Sequence, residues 1–318
     1  MAVIQVHQSN VQKLAIFIQC YNRPAYAKCA IESVLRQTNQ NFRLIISDNS
    51  SNDELSRLVQ ADFPTLEYRR RVPSLPALDH FNKSISETET DFLCLFHDDD
   101  LMEDGFVEAM LNTIALYPDA AAYSCNGVTI ENEVVRKGRF FESAEPHVII
   151  NNPCALGTRY FSKYPSGFAA FPAYIYRTSV VKHISIDAQA GGKYSDVAWL
   201  LEIAKHGDIV WNTKNLIRYR MHASNDSGVE SLKDRLRLLG FLKLNRSFVG
   251  QTVINDYRFG LYKNLRKSLL ANSKLSARSA KFIKRFLLTH RLKRFTRPET
   301  YAYLRYKLVK LFRQLNDG

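Results

Sequence analysis

The chain has 318 residues, of which 46% are hydrophobic and 24% charged, values typical of a soluble globular protein with a buried core. No run approaches the roughly 18–20 uninterrupted apolar residues that a membrane-spanning helix needs. The formal net charge of +13 is unevenly distributed, because residues 1–230 carry 22 Lys and Arg against 27 Asp and Glu, whereas residues 231–318 carry 22 against 4. A mildly acidic part is therefore followed by a strongly basic one, which needs its own explanation.

The cysteines and the first residues indicate the compartment. The five cysteines are scattered singly, without CxxC or zinc-ligand spacing, which favours free thiols in a reducing environment. Residues 1–13 lack the basic segment and apolar core of a secretory signal. We therefore expect a cytoplasmic protein.

Strand-like and helix-like patterns alternate through the first half of the chain. The predicted strands cover residues 14–18, 42–46, 66–69 and 92–96. The predicted helices cover residues 27–35, 53–59 and 77–87, the last with Ala77, Leu78, Phe81 and Ile85 as its apolar positions. Either Asn52 or Asp53 can cap the second helix. This alternation predicts an α/β fold with a mostly parallel sheet and right-handed crossovers.

The second half is less regular. Residues 120–124, 128–130 and 173–176 are predicted as strands, and residues 196–206 as a helix. Residues 136–170 are rich in Gly, Pro, Asn and aromatic residues, which favours a long functional loop over regular structure. From residue 232 onward the pattern is helical. We therefore predict an α/β domain over residues 1–228 and a helical basic region over residues 229–318.

The most informative feature is an acidic run that follows the fourth predicted strand. Asp98, Asp99 and Asp100 come directly after the apolar residues 92–96 and His97. Open α/β sheets bind ligands at the carboxyl edge of their strands. Three adjacent carboxylates repel one another unless a cation lies among them, and a divalent metal that holds a diphosphate would suit them. The alternative is a solvated acidic turn that caps the helix near Met102.

Four motifs in order carry a resemblance to a known family. They are YNRP at residues 21–24, AIESVLRQT at 30–38, DNSS at 48–51 and HDDD at 97–100. Together they resemble the family 2 glycosyltransferases with a GT-A fold, over roughly residues 12–228. The resemblance implies a Rossmann-like, mostly parallel sheet flanked by helices. It also implies inverting transfer of a sugar from a nucleotide-diphosphate sugar.

The ends of the first two predicted strands form the candidate nucleotide site. The turn with Cys20, Tyr21 and Arg23 is expected to lie beside Asp48 at the carboxyl edge of the sheet. A carboxylate can accept a hydrogen bond from the imide N–H of uracil, and Tyr21 offers a stacking face, so we expect a UDP-linked donor. Asp48 matches the position at which the family contacts the base. An Asx turn within its own loop is the alternative role.

The acidic run departs from the family pattern at one position. The family's Asp-x-Asp motif would align its first acid with His97 and its last with Asp99. We expect Asp99 to bind the metal, with Asp100 assisting it and Asp98 directed at the ribose or sugar. Oxygen ligands with phosphate suit Mg²⁺ or Mn²⁺, and a nearby histidine favours Mn²⁺. The metal would neutralise charge on the departing diphosphate.

A candidate general base opens the helix predicted from residue 196. Asp196 follows a glycine-containing loop and matches the family's catalytic base, although Ser195 stands where a Glu is common. Inverting transfer needs one carboxylate to take the proton from the acceptor hydroxyl. A plain helix cap is the alternative role of Asp196.

Residues 219–227 resemble the family's closing motif. Arg220 can donate hydrogen bonds to the diphosphate, and His222 can do so or bind the metal, in a loop that orders over the donor. Aromatic residues of the long predicted loop are expected to shape the acceptor site; they are Tyr160, Phe161, Tyr164, Phe168 and Phe171.

The basic segment at residues 281–315 shows amphipathic helical patterns with interfacial Phe and Tyr. Such helices fit docking on an anionic membrane surface, which would suit a lipid-linked saccharide acceptor. Packing on the catalytic domain is the alternative, and nucleic acid is not expected because no recognised binding fold accompanies the charge. We expect an enzyme peripheral to the inner face of the membrane, active in cell-surface polysaccharide synthesis.

Two other classes of function are alternatives to a glycosyltransferase. A nucleotidyltransferase would be expected to carry a glycine-rich phosphate loop with a Lys or Arg near the amino terminus, and the sequence lacks one. A non-catalytic nucleotide-sugar-binding protein would use the sheet as a scaffold and the basic segment as its active part. The sequence leaves open the donor sugar, the acceptor, the linkage and the oligomeric state.

Overall fold

A computed structural model describes residues 13–162, 167–223 and 231–270, together with residue 281. Its strands are β1 Leu14–Cys20, β2 Arg43–Asp48, β3 Glu67–Arg70, β4 Phe92–His97, β5 Leu101–Met102, β6 Ala122–Glu131, β7 Val134–Lys137, β8 His147–Ile150, β9 Ile175–Arg177 and β10 Ile209–Met221. Its helices are α1 Pro24–Leu35, α2 Glu54–Asp62, α3 Ala77–Ser86, α4 Phe106–Leu116, α5 Pro153–Phe161, α6 Thr178–Val181, α7 Ala188–Gly191, α8 Ser195–Ile203, α9 Leu232–Leu244, α10 Arg246–Val249 and α11 Gln251–Leu270. Short 3₁₀ turns cover Phe171–Ala173 and Gly192–Tyr194.

Across these described residues the strands form one sheet, whose main path runs β3-β2-β1-β4-β9-β6-β10-β5. The first four strands of that path are parallel to one another, and α1, α2 and α3 lie in the connections between them. Strand β9 is antiparallel to β4 and to β6, and β5 is antiparallel to β10. The predicted α/β fold with a mostly parallel central sheet is confirmed.

The register of the parallel strands aligns their carboxyl ends. Cys20, the last residue of β1, lies opposite Asp48 of β2, and Gln19 lies opposite His97 of β4. Because three parallel strands end in one row, the loops that follow them emerge at the same edge of the sheet. Asp48 and His97 therefore lie at the carboxyl edge of the sheet, as predicted.

Burial on both faces of β1 holds this edge in place. All seven residues of β1 are buried, as expected for a strand covered on both sides. One face joins an apolar cluster with α1, to which Ala27, Ala30, Ile31 and Val34 contribute. Each fully buried Ile or Val side chain in this cluster stabilises the fold by about 1.5–3 kcal/mol. The strand end is therefore a rigid base for the loop after it.

The prediction of separate strands at residues 120–124 and 128–130 was wrong. A single strand, β6, runs from Ala122 to Glu131. Gly127 lies within it, and a Cβ there would come within 2.4 Å of the carbonyl oxygen of Ile217. The glycine therefore permits close approach of β10 and does not break the strand.

The prediction that residues 136–170 lack regular structure was also wrong. Strands β7 and β8 and helix α5 lie in or extend into this segment. Helix α5 begins at Pro153, and the side chain of Asn152 accepts a hydrogen bond from the N–H of Ala155 at 2.8 Å. An Asn followed by Pro is a helix-start signal that the overall composition of the segment obscured.

Helix α3 buries different residues from those predicted. Ala77 is exposed and Leu78 and Phe81 are partly buried, whereas His80 and Ser84 are buried together with Ile85. The buried polar atoms have partners in the sheet, because Gln19 Nε2 donates to Ser84 Oγ at 2.9 Å and Ser47 Oγ lies 2.7 Å from His80 Nε2. The apolar pattern failed here because hydrogen bonds compensate the burial of polar groups.

The sequence offers two residues, Asn52 and Asp53, as the cap of α2. Asn52 Oδ1 accepts a hydrogen bond from the N–H of Glu54 at 3.1 Å. The carboxylate of Asp53 instead forms an ion pair with Arg70 at 2.5 Å. The N-cap of α2 is Asp53, whose carbonyl oxygen accepts from the N–H of Arg57 at 3.0 Å, and the side chain of Asn52 supports this helix start.

The described residues form two compact units. The first comprises 13–148, 169–185 and 210–223 and contains most of the sheet; the second comprises 149–162, 167–168, 186–209 and 231–270 and is mainly helical. The domain boundary at residue 228 stays a prediction. No helix among the described residues is long and apolar enough to cross a membrane. The amphipathic pattern predicted beyond residue 281 lies outside the described residues.

Candidate active site

The loops after β1 and β2 are hydrogen-bonded to each other. The N–H of Asn22 donates to Ser50 Oγ at 2.9 Å, and the N–H of Ser51 donates to Asn22 Oδ1 at 3.0 Å. Asn22 has a φ of 52°, a left-handed conformation that asparagine tolerates better than most residues. The two loops therefore form one structure, as predicted from their positions after neighbouring strands.

Asp48 lies fully buried at the end of β2. Its Oδ1 accepts from the N–H of Ser50 at 2.8 Å, which is the Asx turn considered above. Its Oδ2 accepts from the hydroxyl of Tyr68 on β3 at 2.5 Å. Burial and this hydrogen bond raise the pKa of Tyr68, so the hydroxyl stays protonated and keeps donating. Tyr68 was not among the predicted site residues, because nothing in its local sequence distinguishes it from an ordinary strand tyrosine.

Cys20 and Tyr21 occupy contrasting environments. Cys20 is fully buried, and burial together with the charges of Asp98 and Asp48 raises the pKa of its thiol well above the usual range. Tyr21 is 51% exposed. Its ring is therefore available to a planar ligand, whereas the thiol of Cys20 is not reactive.

Asp98 connects the end of β4 to the loop after β1. Its Oδ2 accepts from the N–H of Tyr21 at 2.8 Å, and its Oδ1 lies 2.6 Å from Nη2 of Arg23. Complete burial raises the pKa of this carboxyl to about 7, although Arg23 and the Tyr21 N–H act in the opposite direction. Both oxygens of Asp98 thus hold the β1 loop in this structure.

Asp99 has two positively charged or chargeable partners. Its Oδ2 lies 2.5 Å from Nη1 of Arg23 and 3.1 Å from Nε2 of His222. Burial acts to raise the pKa of Asp99, but the combined effect of His97, Arg23 and His222 outweighs it and lowers the pKa. Asp99 is therefore an anion at neutral pH.

Asp100 is the most deeply buried of the candidate metal ligands. Its Oδ1 accepts from the backbone N–H of Arg220 at 2.9 Å. Its Oδ2 lies 3.8 Å from Nδ1 of His97 and has no hydrogen-bond partner among the described residues. Burial, followed by the negative charge of Asp99, raises the pKa of Asp100 well above its usual range. A buried carboxylate oxygen without a partner is an expected feature of a cation site.

His97, Asp99 and Asp100 together could hold a metal ion. Each offers one ligand atom, and these atoms lie within 4.8 Å of one another. The ring of His97 packs between Phe81 and Phe171, at centroid distances of 5.8 and 5.7 Å. Carboxylates with one imidazole suit Mn²⁺, and carboxylates alone suit Mg²⁺. The residue that departs from the Asp-x-Asp pattern therefore lies among the candidate ligands.

Arg220 and His222 both lie against the acid cluster. Arg220 Nε donates to the carbonyl oxygen of Asp99 at 3.0 Å, and its guanidinium lies 5.1 Å from the ring centroid of Tyr26 and pairs with Glu133. The ring of His222 lies 4.8 Å from that of Tyr26. Sequence reasoning missed Tyr26 and Glu133, since their contacts join segments far apart in the chain.

Asp196 belongs to the second unit, where it is the second residue of α8. Its carboxylate is partly buried, and burial raises its pKa to about 6, although backbone N–H groups of the first turn act in the opposite direction. The loop before α8 requires glycine at residue 192, where φ is 60° and a Cβ would come within 2.0 Å of Asp234 Oδ1. Asp196 is therefore an acid in the first turn of α8 with a raised pKa.

The aromatic residues predicted to shape an acceptor site fall in both units. In the second unit, Tyr160 stacks on Phe168 with a centroid distance of 4.6 Å. In the first, Phe171 contacts Phe81 edge to face at 5.6 Å. Tyr164 lies outside the described residues.

Comparison with known proteins identifies relatives of this chain. Residues 15–184 match the glycosyl transferase family 2 profile. An uncharacterised glycosyltransferase of Rickettsia conorii is 28% identical over 155 residues, which cover 47% of this chain and 26% of that protein. Protein CgeD of Bacillus subtilis is 26% identical over 132 residues, or 38% of this chain and 31% of that protein. The chain thus spans only about a quarter to a third of the length of these relatives.

Solved structures share the fold at low sequence identity. Residues 1–349 of Staphylococcus aureus TarS, in complex with UDP-GlcNAc, superpose with a TM-score of 0.56 at 14% identity, over 90% of this chain and 93% of that one. The mannosyltransferase PcManGT from Pyrobaculum calidifontis, with GDP-Man and Mn²⁺, has a TM-score of 0.51 at 11% identity, over 93% and 85% of the two chains. With a GT-A fold and a family match over more than half of its length, this chain belongs to glycosyl transferase family 2.

Proposed function

We propose that this glycosyltransferase moves a sugar from a UDP-sugar to a saccharide or lipid-linked saccharide acceptor, with inversion at the anomeric carbon and with a divalent metal. The observation that carries the proposal is the acid cluster at the end of β4, which is joined through Arg23 to the loop after β1 and lies at the same sheet edge as Asp48. Binding at this edge is the general rule for open α/β sheets.

The proposed nucleotide contacts are those of Asp48 and Tyr21. The carboxylate of Asp48 is held in place by Ser50 and Tyr68 and would accept a hydrogen bond from the uracil imide N–H. The exposed ring of Tyr21 would stack on the base. The TarS complex with UDP-GlcNAc supports a uridine nucleotide on this fold.

The residues of the acid cluster fit a divalent metal. Asp99 is ionised, Asp100 has an oxygen without a hydrogen-bond partner, and His97 adds one nitrogen within reach of both. These three residues would hold Mn²⁺ or Mg²⁺, with His222 adjoining them through Asp99, and PcManGT was solved with Mn²⁺. When bound, such a metal neutralises negative charge that develops on the departing diphosphate.

The proposed general base is Asp196. With a pKa of about 6, its carboxylate is ionised at pH 7 and is a stronger base than an ordinary aspartate. It would take the proton from the acceptor hydroxyl as that oxygen attacks the anomeric carbon. A single displacement of this kind inverts the configuration, and the nucleotide diphosphate leaves from the opposite face.

The acceptor and the cellular location are part of the same proposal. The excess of 22 basic over 4 acidic residues in 231–318 supports a cytoplasmic enzyme held at an anionic membrane surface, where a lipid-linked acceptor for cell-surface polysaccharide would be found. The proposed catalytic domain is residues 1–228, and the proposed docking segment is residues 281–315 of the helical basic region 229–318.

The test compares turnover with donor binding in Asp196→Asn. A UDP-sugar panel is first screened by thermal shift with Mn²⁺, because a ligand that binds the folded state raises its stability. With the donor so identified, kcat in Asp196→Asn is expected to fall by about 10²- to 10⁴-fold, the usual contribution of a general base, while the donor Kd stays within about twofold.

The matched control is Asp187→Asn, since Asp187 also lies at a helix start in the same unit but has no proposed chemical role. This control should keep its kcat, and the anomeric configuration of the product, read by NMR, should be inverted. Retention of configuration, or full turnover in Asp196→Asn, would contradict the proposal. A non-catalytic binding protein would show no donor turnover in any variant.

A further inference from the structure

A cation is already present in the acid cluster, namely the guanidinium of Arg23. Its two terminal nitrogens contact two different carboxylates, Nη2 with Asp98 at 2.6 Å and Nη1 with Asp99 at 2.5 Å. Both carboxylates are buried, while the Arg23 side chain is 27% exposed. The arginine therefore covers the cluster from the solvent side and neutralises part of its charge.

We propose that Arg23 is an exchangeable counter-cation: it holds Asp98 and Asp99 in the donor-free enzyme and releases Asp99 to the divalent metal when the nucleotide diphosphate binds. This inference rests on the proposed function, because it assumes that Asp99 is a metal ligand and that the donor carries a diphosphate.

The exchange follows from the contacts of Asp99. A single oxygen, Oδ2, faces both Nη1 of Arg23 and Nε2 of His222. A divalent metal approaches a carboxylate oxygen to about 2.0–2.6 Å. A guanidinium at 2.5 Å from that oxygen would lie within a few ångströms of the metal, and two cations repel strongly at such a distance in a buried site. Metal binding at Asp99 therefore requires Arg23 to move away.

The rest of the cluster can tolerate this movement. Asp98 keeps the hydrogen bond from the N–H of Tyr21 at 2.8 Å after Arg23 departs, so its carboxylate stays anchored to the β1 loop. The backbone of Arg23 immediately precedes α1, so its side chain turns about a fixed point. A guanidinium matches phosphate oxygens with paired hydrogen bonds, and the donor's diphosphate offers it a replacement for Asp99.

The consequence is coupling between metal and donor. Metal alone must displace Arg23 without compensation, whereas metal with a nucleotide diphosphate leaves Arg23 paired with phosphate. Metal should therefore bind weakly by itself and much more tightly when UDP is present, and by thermodynamic reciprocity UDP should bind more tightly in metal.

The experiment measures the Kd of Mn²⁺, with and without UDP, by electron paramagnetic resonance of the free ion. In Arg23→Gln, the Mn²⁺ affinity without UDP is expected to increase at least about tenfold, because a competing positive charge is gone. The gain in Mn²⁺ affinity caused by UDP should shrink in the same variant. The matched control is Arg43→Gln, since Arg43 also pairs with two carboxylates and is 33% exposed. It is the first residue of β2 and lies at the end of that strand opposite to Asp48.

A second variant keeps the test decisive if Arg23→Gln folds poorly. In Arg23→Lys one ammonium cannot reach both carboxylates as a guanidinium does, so its Mn²⁺ affinity without UDP should lie between those of the wild type and Arg23→Gln. Thermal unfolding of each variant without metal verifies the folded state. Arg43→Gln should match the wild type in both Mn²⁺ titrations.

The outcomes separate this inference from the proposed function. If the wild type binds Mn²⁺ with UDP but both Arg23 variants bind Mn²⁺ alone no more tightly than the wild type, the counter-cation role is overturned and the metal-dependent function stands. If no variant binds Mn²⁺ even with UDP, the metal site itself is wrong and both proposals fail.

Discussion

The two candidate centres of this protein have carboxylates in opposite environments. Asp98, Asp99 and Asp100 form a network in the first unit, in which arginine, histidine and backbone N–H groups contact the acids. Asp196 in the second unit lies in the first turn of α8, and burial raises its pKa. The first arrangement balances charge around a cation, and the second favours proton transfer.

The difference shows why a raised pKa by itself does not identify a base. Burial raises the pKa of Asp98 to about 7 and that of Asp196 to about 6. Asp98 has both oxygens engaged by Tyr21 and Arg23, so it cannot accept a proton from a substrate without losing these contacts. Asp196 is in no ion pair among the described residues, and its carboxylate in the first turn of α8 has lone pairs for an acceptor hydroxyl. The contacts of each carboxylate, more than its pKa, distinguish binding from catalysis.

The largest expected effect tests the proposed role of the acid cluster in metal binding. Asp99→Asn removes the ionised ligand, and a bound metal supplies several kcal/mol of transition-state stabilisation, so kcat/KM should fall by about 10³- to 10⁴-fold. Mn²⁺ affinity in the presence of UDP, measured by electron paramagnetic resonance, should fall in parallel. Asp104→Asn is the control, since Asp104 is exposed and pairs with Arg36 at 3.6 Å. Unchanged Mn²⁺ binding in Asp99→Asn would remove Asp99 from the metal site.

A smaller effect tests the proposed role of Asp196 in proton transfer. A general base must be deprotonated, and burial raises the pKa of Asp196 to about 6, so kcat should rise with pH up to about 6 and level off above it. One unit below that pKa, the rate should be about tenfold lower than at the plateau. The measurement is the pH profile of kcat with saturating donor and Mn²⁺. An acidic limb that persists unchanged in the residual activity of Asp196→Asn would assign the titration to another group.

The smallest effect concerns the support of Asp48 by a neighbouring strand. Tyr68→Phe removes the hydroxyl that donates to Asp48 Oδ2 at 2.5 Å, and a hydrogen bond of this kind is worth about 0.5–1.5 kcal/mol, so UDP affinity should fall about three- to tenfold. Tyr123→Phe is the control, because its hydroxyl also donates within the first unit, to the carbonyl oxygen of Tyr117 at 2.6 Å. Isothermal titration with UDP should show a loss only in Tyr68→Phe. Equal losses in both variants would indicate a general effect on stability.

Much of the sheet could be predicted because its information is local. The strands β1, β2 and β4 are short apolar runs, and the helices between them carry apolar residues at helical spacing, so the mostly parallel sheet and its polar edge followed from simple rules. Prediction failed where position in the sheet overrode composition. Gly127 lies inside a continuous strand. His80 and Ser84 are buried because they form hydrogen bonds with side chains of β2 and β1.

By itself, the sequence determined where the acids emerge: apolar runs that end in Asp48 and in His97 place polar residues at the carboxyl edge, since buried parallel strands must align to satisfy their backbone hydrogen bonds. Only the tertiary structure decided how those acids are neutralised. The partners of Asp98 and Asp99 lie 75 to 123 residues away, in the loop after β1 and just past the end of β10. Contacts between such distant side chains depend on how loops fold over a finished sheet, and no local pattern encodes that geometry.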